Sequence, residues 1–255
     1  MTDDVEMRIT HILRGHDWLP STPVHLLVFE YLGGTRPEIG HLTDILSTET
    51  GKKLSKRRDS VFVENFIKEG YLPQALLNFI LLLGWAPKDN RELYSLEEMV
   101  KYFNVNGFQD ANPRFFREKL DWFNGQYIRK LSIDSLLEKL KLDKTIKNKA
   151  IVSLLQDRIE KLSDFDSLAK FFFDRPKVDI KLFGENYKEH LESAVDGIKN
   201  DRDLMEVVKE NNFKTGDFFM SLRIAVTGMK FTPPINESIT ILGKEETITR
   251  LKSLI

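Results

Sequence analysis

The residues best suited to chemistry form a short basic segment at 51–58, which reads G-K-K-L-S-K-R-R and holds five cations within seven positions. Lysine ammonium groups and a serine hydroxyl can bind the oxygens of a polyphosphate. Cations placed there would stabilise the charge that develops on a leaving pyrophosphate. The same composition also fits a solvated basic loop or a loop that contacts a nucleic-acid backbone, so the segment alone does not decide its role.

The region around this segment, residues 1–60, has the pattern of an α/β fold. Alternating apolar and polar residues over 7–13 predict a strand, and Thr22-Pro23 predicts the start of a helix that runs to Tyr31. A second short strand is expected over 41–46. Two strands do not make a stable sheet alone, so we interpret this region as the end of a larger fold.

From about residue 60 onward the sequence predicts helices. Pro73–Gly84 starts with proline, ends with glycine and is apolar nearly all round, which predicts a buried helix. Ser95 and Glu98 predict a capping box, and Asp134 is expected to cap a later helix. Apolar residues repeat on one helical face over 147–162, and Gly228 predicts a helix end. Further helices are expected over 187–198, 204–208, 217–226 and 245–254.

Composition narrows the function classes. The 255 residues include no cysteine, which excludes disulfides, thiolate catalysis and zinc–thiolate sites. The histidine spacing fits no standard zinc pattern, and no metal ligand is assigned. No apolar run is long enough to cross a membrane and the first residues do not resemble a secretory signal, so a cytoplasmic location is expected. The net charge of −1 means that any nucleic-acid binding must use local basic surface.

The basic segment also carries a family resemblance, because K-L-S-K-R at 53–57 resembles the KMSKS-type signature of class I aminoacyl-tRNA synthetases. Four further stretches are similar to the glutamyl enzymes and occur in the same order along the chain. They are D-D-x-x-M-x-I-T-H-I-L-R-G-x-D-W-L-x-S-T-P at 3–23, G-Y-L-P-x-A-L-L-N-F-I-x-L-L-G-W at 70–85, E-K-L-x-W-x-N-x-x-Y-I at 118–128, and L-R-x-A-V-T-G with L-G-K-E at 222–228 and 242–245. The chain therefore resembles the C-terminal portion of a bacterial-type glutamyl-tRNA synthetase.

This resemblance implies a mainly α protein in three parts. Residues 1–60 would be the end of a Rossmann-type catalytic domain, residues 61–145 a helical connecting domain that contacts the tRNA stem, and residues 146–255 a helical anticodon-binding domain. Related enzymes of the other type have β-barrel anticodon domains, and the sequence shows no comparable series of strands.

The resemblance also implies which residues bind ATP and glutamate. Lys56 would contact the ATP phosphates, with Lys53, Ser55 and Arg57 in support. Arg14 would pair with the substrate glutamate carboxylate, and Asp17 and Trp18 would line the glutamate and adenosine pocket. A structural salt bridge is the alternative for Arg14. Core packing is the alternative for Trp18 and the expectation for Trp85 and Trp122.

For tRNA, the candidate phosphate contacts are Arg114, Arg117, Arg129 and Lys130, and a solvated helix face is the alternative for all four. The run Phe171-Phe172-Phe173 could stack on anticodon bases, although core packing is the simpler interpretation.

The implied activity is that of a glutamate–tRNA ligase, which uses ATP with Mg²⁺ as substrate and acts on L-glutamate and glutamate tRNA. The HIGH signature of this class does not occur in the sequence, so we expect that the isolated chain, a monomer, cannot form glutamyl-adenylate without a separate N-terminal half. Two alternatives remain: a stand-alone tRNA-binding module without catalysis, and a helical protein-interaction domain with a chance basic loop.

Overall fold

The computed structural model describes residues 1–55 and 61–255. These residues form two compact units, Met1–Tyr127 and Ile128–Ile255. The division of the chain at 60 and 145 stays a prediction. None of the described helices is both long enough and apolar enough to cross a membrane.

The first unit begins with a small α/β region. Its elements are α1 (Thr2–Glu6), β1 (His11–Gly15), a 3-10 turn (His16–Trp18), α2 (Thr22–Tyr31), β2 (Glu38–Leu42) and β3 (Leu46–Ser47). β1 and β2 are parallel, in a register that places Arg14 opposite His41. The predicted helix in this region has the bounds expected from its sequence.

Both predicted strands of this region were wrong in their bounds. The first begins only at His11, because Arg8 takes a left-handed conformation with φ 55° and interrupts the extended chain. The second is divided between β2 and β3. Between them the backbone N–H of Asp44 donates to Asn112 Oδ1 at 3.0 Å instead of to a neighbouring strand.

The rest of the first unit is mainly helical. It contains α3 (Val63–Lys68), α4 (Pro73–Gly84), α5 (Leu96–Tyr102), β4 (Arg114–Phe115) and most of α6 (Arg117–Arg129). β4 pairs in parallel with β3. The core consists of Phe66, Tyr71, Leu76, Phe79, Leu120 and Phe123.

Two predictions in this part had different outcomes. Ser95 and Glu98 form the capping box at the start of α5, as predicted. The prediction of a buried helix was correct for part of α4 only. Ala75, Leu76, Asn78 and Phe79 are buried, whereas Leu77 and Ile80 are each 45% exposed.

Two fully buried asparagines hold the helices of this unit together. Asn124 on α6 accepts the backbone N–H of Leu72 at 2.7 Å, and Asn78 on α4 accepts that of Tyr94 at 2.8 Å. A buried amide that satisfies buried backbone groups fixes the position of the chain, because leaving such groups unpaired is costly.

The second unit is built from helices. They are α7 (Ile133–Lys139), α8 (Ile146–Leu155), α9 (Asp164–Phe173), α10 (Tyr187–Lys199), α11 (Leu204–Glu210), α12 (Thr215–Thr227), α13 (Ile235–Leu242) and α14 (Lys244–Lys252). Gly228 ends α12 at φ 75°, as predicted. Residues from α10, α11, α12, α13 and α14 share one hydrophobic core.

Two helix ends in this unit differ from the prediction. Ser132, not Asp134, caps α7, and Asp134 instead pairs with Lys149 at 2.8 Å. The helix predicted over 147–162 stops at Leu155. A 3-10 turn follows, in which Gln156 Nε2 donates to the carbonyl oxygens of Ile128 and Leu131 at 2.9 and 2.8 Å.

A buried arginine joins three helix ends in the second unit. Arg250 on α14 donates from Nη1 to the carbonyl oxygens of Phe171 and Val226, both at 2.8 Å, and from Nε to Glu246. Arg175 donates two further hydrogen bonds to the same carboxylate, at 2.8 and 2.7 Å. The bonds from Arg175 and then Arg250 lower the pKa of Glu246 to about 2.

We predict that Glu246→Gln removes part of the acid sensitivity of folding. Because the folded-state pKa lies below the ordinary value of about 4.5, the carboxylate stabilises the fold above pH 4.5 and loses that contribution as pH falls towards 2. Urea unfolding at several pH values, followed by circular dichroism, should show a shallower loss of stability for the variant in this window. The control is Glu237→Gln at an exposed position of α13. Identical pH dependence in both variants would contradict the prediction.

Candidate functional site

Arg14 is held by three side chains from two neighbouring elements. β2 places His41 opposite it, and the first turns of α2 supply Thr22 and His25. Nε of Arg14 donates to His41 Nε2 at 3.3 Å, Nη1 to His25 Nδ1 at 2.8 Å, and Nη2 to Thr22 Oγ1 at 2.7 Å. The half-buried guanidinium is therefore fixed in plane and direction.

The chemistry of these bonds sets the roles of the two histidines. A guanidinium has only donors, so both ring nitrogens that face it act as acceptors. Thr22 accepts from Arg14 and donates to the carbonyl oxygen of Trp18 at 2.9 Å.

Arg14 keeps its positive charge without a carboxylate partner among the described residues, so the alternative of a structural salt bridge does not describe its contacts. The hydrogen bonds described use three of the five N–H donors of a guanidinium. By valence, one donor is left on Nη1 and one on Nη2. The two remaining N–H groups of a fixed guanidinium can bind a carboxylate.

The described part of the basic segment, up to Ser55, is positioned by a tight hairpin. Leu46 and Lys53 form an antiparallel bridge. The backbone N–H of Leu54 donates to Ile45 O and that of Ser47 to Lys52 O, both at 2.8 Å. Gly51 makes the turn at φ 66°, a left-handed conformation that glycine adopts easily. Lys56 and Arg57, predicted to bind ATP, lie outside the described residues.

Lys53 forms ion pairs with two carboxylates. Its ammonium bonds to Asp17 and, at 2.7 Å, to Asp44. The hydrogen bond from Lys53 is the main reason that the pKa of Asp17 is lowered, and the bonds to Asp17 and Asp44 raise the pKa of Lys53. Nδ1 of His16 lies 3.4 Å from Oδ2 of Asp44.

His16, Asp17 and Asp44 bring three possible metal-ligand atoms within 4.8 Å of one another. The Lys53 ammonium already bonds to both carboxylates. This positive charge compensates them, and we assign no metal to the cluster.

The 3-10 turn His16–Trp18 contacts both the residues that hold Arg14 and the ion pairs of Lys53. Asp17 pairs with Lys53, and the ring of Trp18 lies 5.9 Å from that of His25 in a tilted arrangement. Trp18 is 54% exposed, so core packing does not account for it. The structure thus brings Trp18 beside the Arg14 network and Asp17 beside the basic hairpin.

The other two tryptophans differ from each other. Trp85 is buried, as predicted, and donates from Nε1 to Asn104 O at 3.0 Å. Trp122 is 40% exposed, so the prediction of core packing was wrong for it. Its neighbour Phe123 occupies the core position instead.

The four candidate phosphate-binding cations are not equivalent. Arg114 and Lys130 are exposed. Arg117 forms an ion pair with Glu69 and lies over the rings of Phe66 and Tyr71. Arg129 donates to the carbonyl oxygen of Asp157 at 3.2 Å.

In the phenylalanine run, Phe171 and Phe172 are buried, which confirms core packing for these two. Phe173 is 48% exposed, so one ring of the three remains available to a partner.

The sequence analysis did not identify Thr22, His25, His41 and Asp44 as part of the site. A usable signal existed for His41, because parallel pairing of the two predicted strands brings residues of one opposite residues of the other. Thr22 and His25 are three residues apart at the start of the predicted helix, so they share a helical face. No comparable local pattern marks Asp44.

Comparison with known proteins agrees with this geometry. The family described as class I tRNA synthetases (E and Q), catalytic domain, matches residues 1–122, and the family described as anticodon binding domain matches residues 114–255. The chain belongs to the glutamyl-tRNA synthetase family. It is 33% identical to the glutamate–tRNA ligases of Borreliella afzelii and Alkaliphilus metalliredigens over 99% of its own length. It spans 57% of the length of each of these relatives.

Two solved structures of glutamate–tRNA ligases are also similar to this chain. A glutamate–tRNA ligase from Elizabethkingia meningosepticum, crystallised in complex with its amino acid, is 31% identical with a TM-score of 0.84. The glutamate–tRNA synthetase of Elizabethkingia anophelis is 32% identical with a TM-score of 0.80. In each case the match covers 99% of this chain and 58% of the solved chain. The predicted family and the mainly α fold, with an α/β catalytic part and a helical anticodon part, are confirmed.

We predict that His41→Phe loosens the Arg14 guanidinium. The substitution removes the acceptor of the Nε–H group, which then exchanges its proton with water more easily. In NMR spectra of arginine side chains, the Arg14 Nε–H signal should exchange severalfold faster in the variant. The control is His11→Phe. His11 is exposed and lies on β1, the strand of Arg14, so this substitution should leave the signal unchanged. Equal exchange in His41→Phe and the wild type would contradict the role given to His41.

Proposed function

We propose that this chain supplies the second ATP-binding loop, part of the glutamate pocket and the tRNA-binding surface of a glutamate–tRNA ligase. The proposed reaction joins glutamate to ATP as glutamyl-adenylate with release of pyrophosphate, and then transfers the glutamyl group to glutamate tRNA with release of AMP. The substrate ATP would carry Mg²⁺.

The observation that carries the proposal is the fixed guanidinium of Arg14. Its charge has no carboxylate partner among residues 1–55 and 61–255, and the acceptors that hold it carry no negative charge, so the charge is available for an anionic ligand. A family member crystallised with its amino acid supports a carboxylate as that ligand. In this proposal Arg14 binds the glutamate carboxylate, and Asp17 and Trp18 line the pocket beside it.

For ATP, the proposed ligands are Lys53, Ser55, Lys56 and Arg57. Lys53 is bound by Asp17 and Asp44 in this structure, so a phosphate oxygen would replace a carboxylate as its partner. Such cations stabilise the charge that develops on pyrophosphate as it leaves.

For tRNA, the proposal assigns stem contacts to residues 61–145 and anticodon contacts to residues 146–255. The exposed Arg114 is better suited to bind phosphate than Arg117, which is paired with Glu69. Lys130 is a further candidate for a phosphate contact. Arg129 can bind phosphate through donors not used by Asp157. The protein would act as a monomer in the cytoplasm.

A stand-alone tRNA-binding module is the second candidate function. The second unit has a hydrophobic core of its own, to which residues of α10 to α14 contribute, so this unit has the means to fold by itself. A pure tRNA binder has no use for the Arg14 network, which is why we favour the ligase.

The first test is binding of fluorescent glutamate tRNA to the chain, measured by anisotropy at two salt concentrations, with an unrelated tRNA as competitor. We expect selective binding that weakens with salt, because each phosphate contact releases counterions. Arg114→Gln should lower the slope of log affinity against log salt by roughly 1. Arg117→Gln, at the ion-paired position, is the control and should leave the slope nearly unchanged.

Equal affinity for both tRNAs, or no binding, would contradict the tRNA part of the proposal. ATP–pyrophosphate exchange separately tests the catalytic part. We expect no glutamate-dependent exchange by the chain alone, and exchange when the portion of a relative that this chain does not match is added. Exchange by the chain alone would contradict the expectation that a second part is needed.

A further inference from the structure

Strand β3, which leads into the basic hairpin, is anchored to a distant segment of the first unit. It pairs in parallel with β4. The hydroxyl of Thr48, just after β3, donates to Phe115 O at 3.3 Å. Asn112 Oδ1 accepts the backbone N–H of Asp44, shortly before β3, at 3.0 Å. Bonds on both sides of the strand therefore fix where Asp44 lies.

The carboxylate of Asp44 is held as closely as its backbone. Its Oδ1 lies 2.7 Å from Nζ of Lys53, and its Oδ2 lies 3.4 Å from Nδ1 of His16. The side chain of Asp44 is only 14% exposed. Both oxygens thus face a nitrogen atom in a largely covered position, so this carboxylate has little freedom to turn away from Lys53.

Asp17, the second carboxylate on Lys53, is held differently. Its side chain is 65% exposed and lies on the three-residue 3-10 turn. Among the described residues, Lys53 is the one hydrogen-bond partner of this carboxylate. Solvent-exposed ion pairs are weak because water and salt screen them. Of the two carboxylates on Lys53, Asp17 is therefore the easier one to displace.

We propose that Asp44 is a positioning residue for polyphosphate binding by Lys53. When a polyphosphate binds, one of its oxygens takes the place of the Asp17 carboxylate, and the bond between Lys53 and Asp44 persists. No covalent bond forms or breaks in this step, because one ion pair is exchanged for another. The inference rests on the proposed function, in which Lys53 binds ATP, and it identifies the residue that holds this lysine in place.

The chemistry of the lysine ammonium allows this exchange. The group has three N–H donors, so it can bond to Asp44 and to a phosphate oxygen at the same time. A free lysine side chain loses much rotamer freedom when it binds, and a side chain that is already held loses less. Asp44 thus favours binding by pre-organising Lys53. If Asp44 were instead a simple competitor of the phosphate, its removal would strengthen binding.

The test is an NMR titration of the full chain with tripolyphosphate, which follows the side-chain ammonium signal of Lys53. The variant Lys53→Arg identifies that signal by its loss. We expect a saturable shift in the wild type. Asp17→Asn, which removes the exchangeable partner, should bind tripolyphosphate severalfold more tightly. Asp44→Asn should bind it severalfold more weakly and, without ligand, should exchange the ammonium hydrogens of Lys53 with water severalfold faster.

A third variant separates position from charge. Asn112→Ala removes the acceptor of the Asp44 backbone N–H and leaves every charge in place. We expect it to weaken tripolyphosphate binding, as Asp44→Asn does, by a smaller factor. The matched control is Asp110→Asn, which removes an exposed carboxylate two residues before Asn112 and should leave the affinity unchanged. Circular dichroism would confirm that all variants keep the wild-type helix content.

Three outcomes would overturn the inference. The first is tripolyphosphate binding by Asp44→Asn that is tighter than in the wild type or unchanged, as a competing or uninvolved carboxylate predicts. The second is an unchanged affinity in Asn112→Ala. The third is a Lys53 signal that tripolyphosphate does not move.

These results are separate from the test of the proposed function, because tripolyphosphate binding is measured without glutamate or tRNA. Tighter binding by Asp44→Asn, together with ATP–pyrophosphate exchange once the unmatched portion of a relative is added, would contradict only the positioning role. The expected binding results without such exchange would contradict the ligase proposal and leave the positioning role intact.

Discussion

The parallel pairing of β1 with β2 is the constraint on which the arrangement of the candidate site depends. It places Arg14 opposite His41, and the connection between the two strands brings the start of α2 against the same side chain. A shift of one residue in the register would move His41 to the other face of the sheet. The guanidinium would then lose its acceptor at Nε, and its remaining bonds would no longer fix its plane.

Arg14 and Lys53, the two cationic groups described in the site, have different kinds of hydrogen-bond partner. Arg14 is held by histidine and threonine side chains that carry no negative charge, whereas Lys53 is held by two carboxylates. Acceptors without negative charge position a cation without cancelling its field, which suits a pocket that must select an anion. Carboxylates hold a cation in place until a more highly charged partner competes for it, which suits a loop that meets a polyphosphate.

Local sequence rules predicted the elements whose limits are set by local chemistry. Pro73 and Gly84 bound α4, the capping box starts α5 and Gly228 ends α12, all as expected. The errors occur where a distant residue decides the structure. Asn112 takes the N–H of Asp44 and so divides the predicted strand, and the carbonyls that Gln156 binds lie more than twenty residues away. The partners of Arg14 and Lys53 were missed for the same reason, because each depends on how strands and turns pair across the chain.

The sequence of α2 shows how far such reasoning extends. Its proline start predicted the helix correctly, but the local sequence does not show which of its apolar side chains are buried. The structure does, because Phe29 is buried and Tyr31, two residues later, is 87% exposed. The same helix supplies Thr22 and His25 to Arg14, so the placement of α2 also sets the position of the residues that hold the guanidinium. The packing of this helix and the organisation of the candidate site are thus coupled.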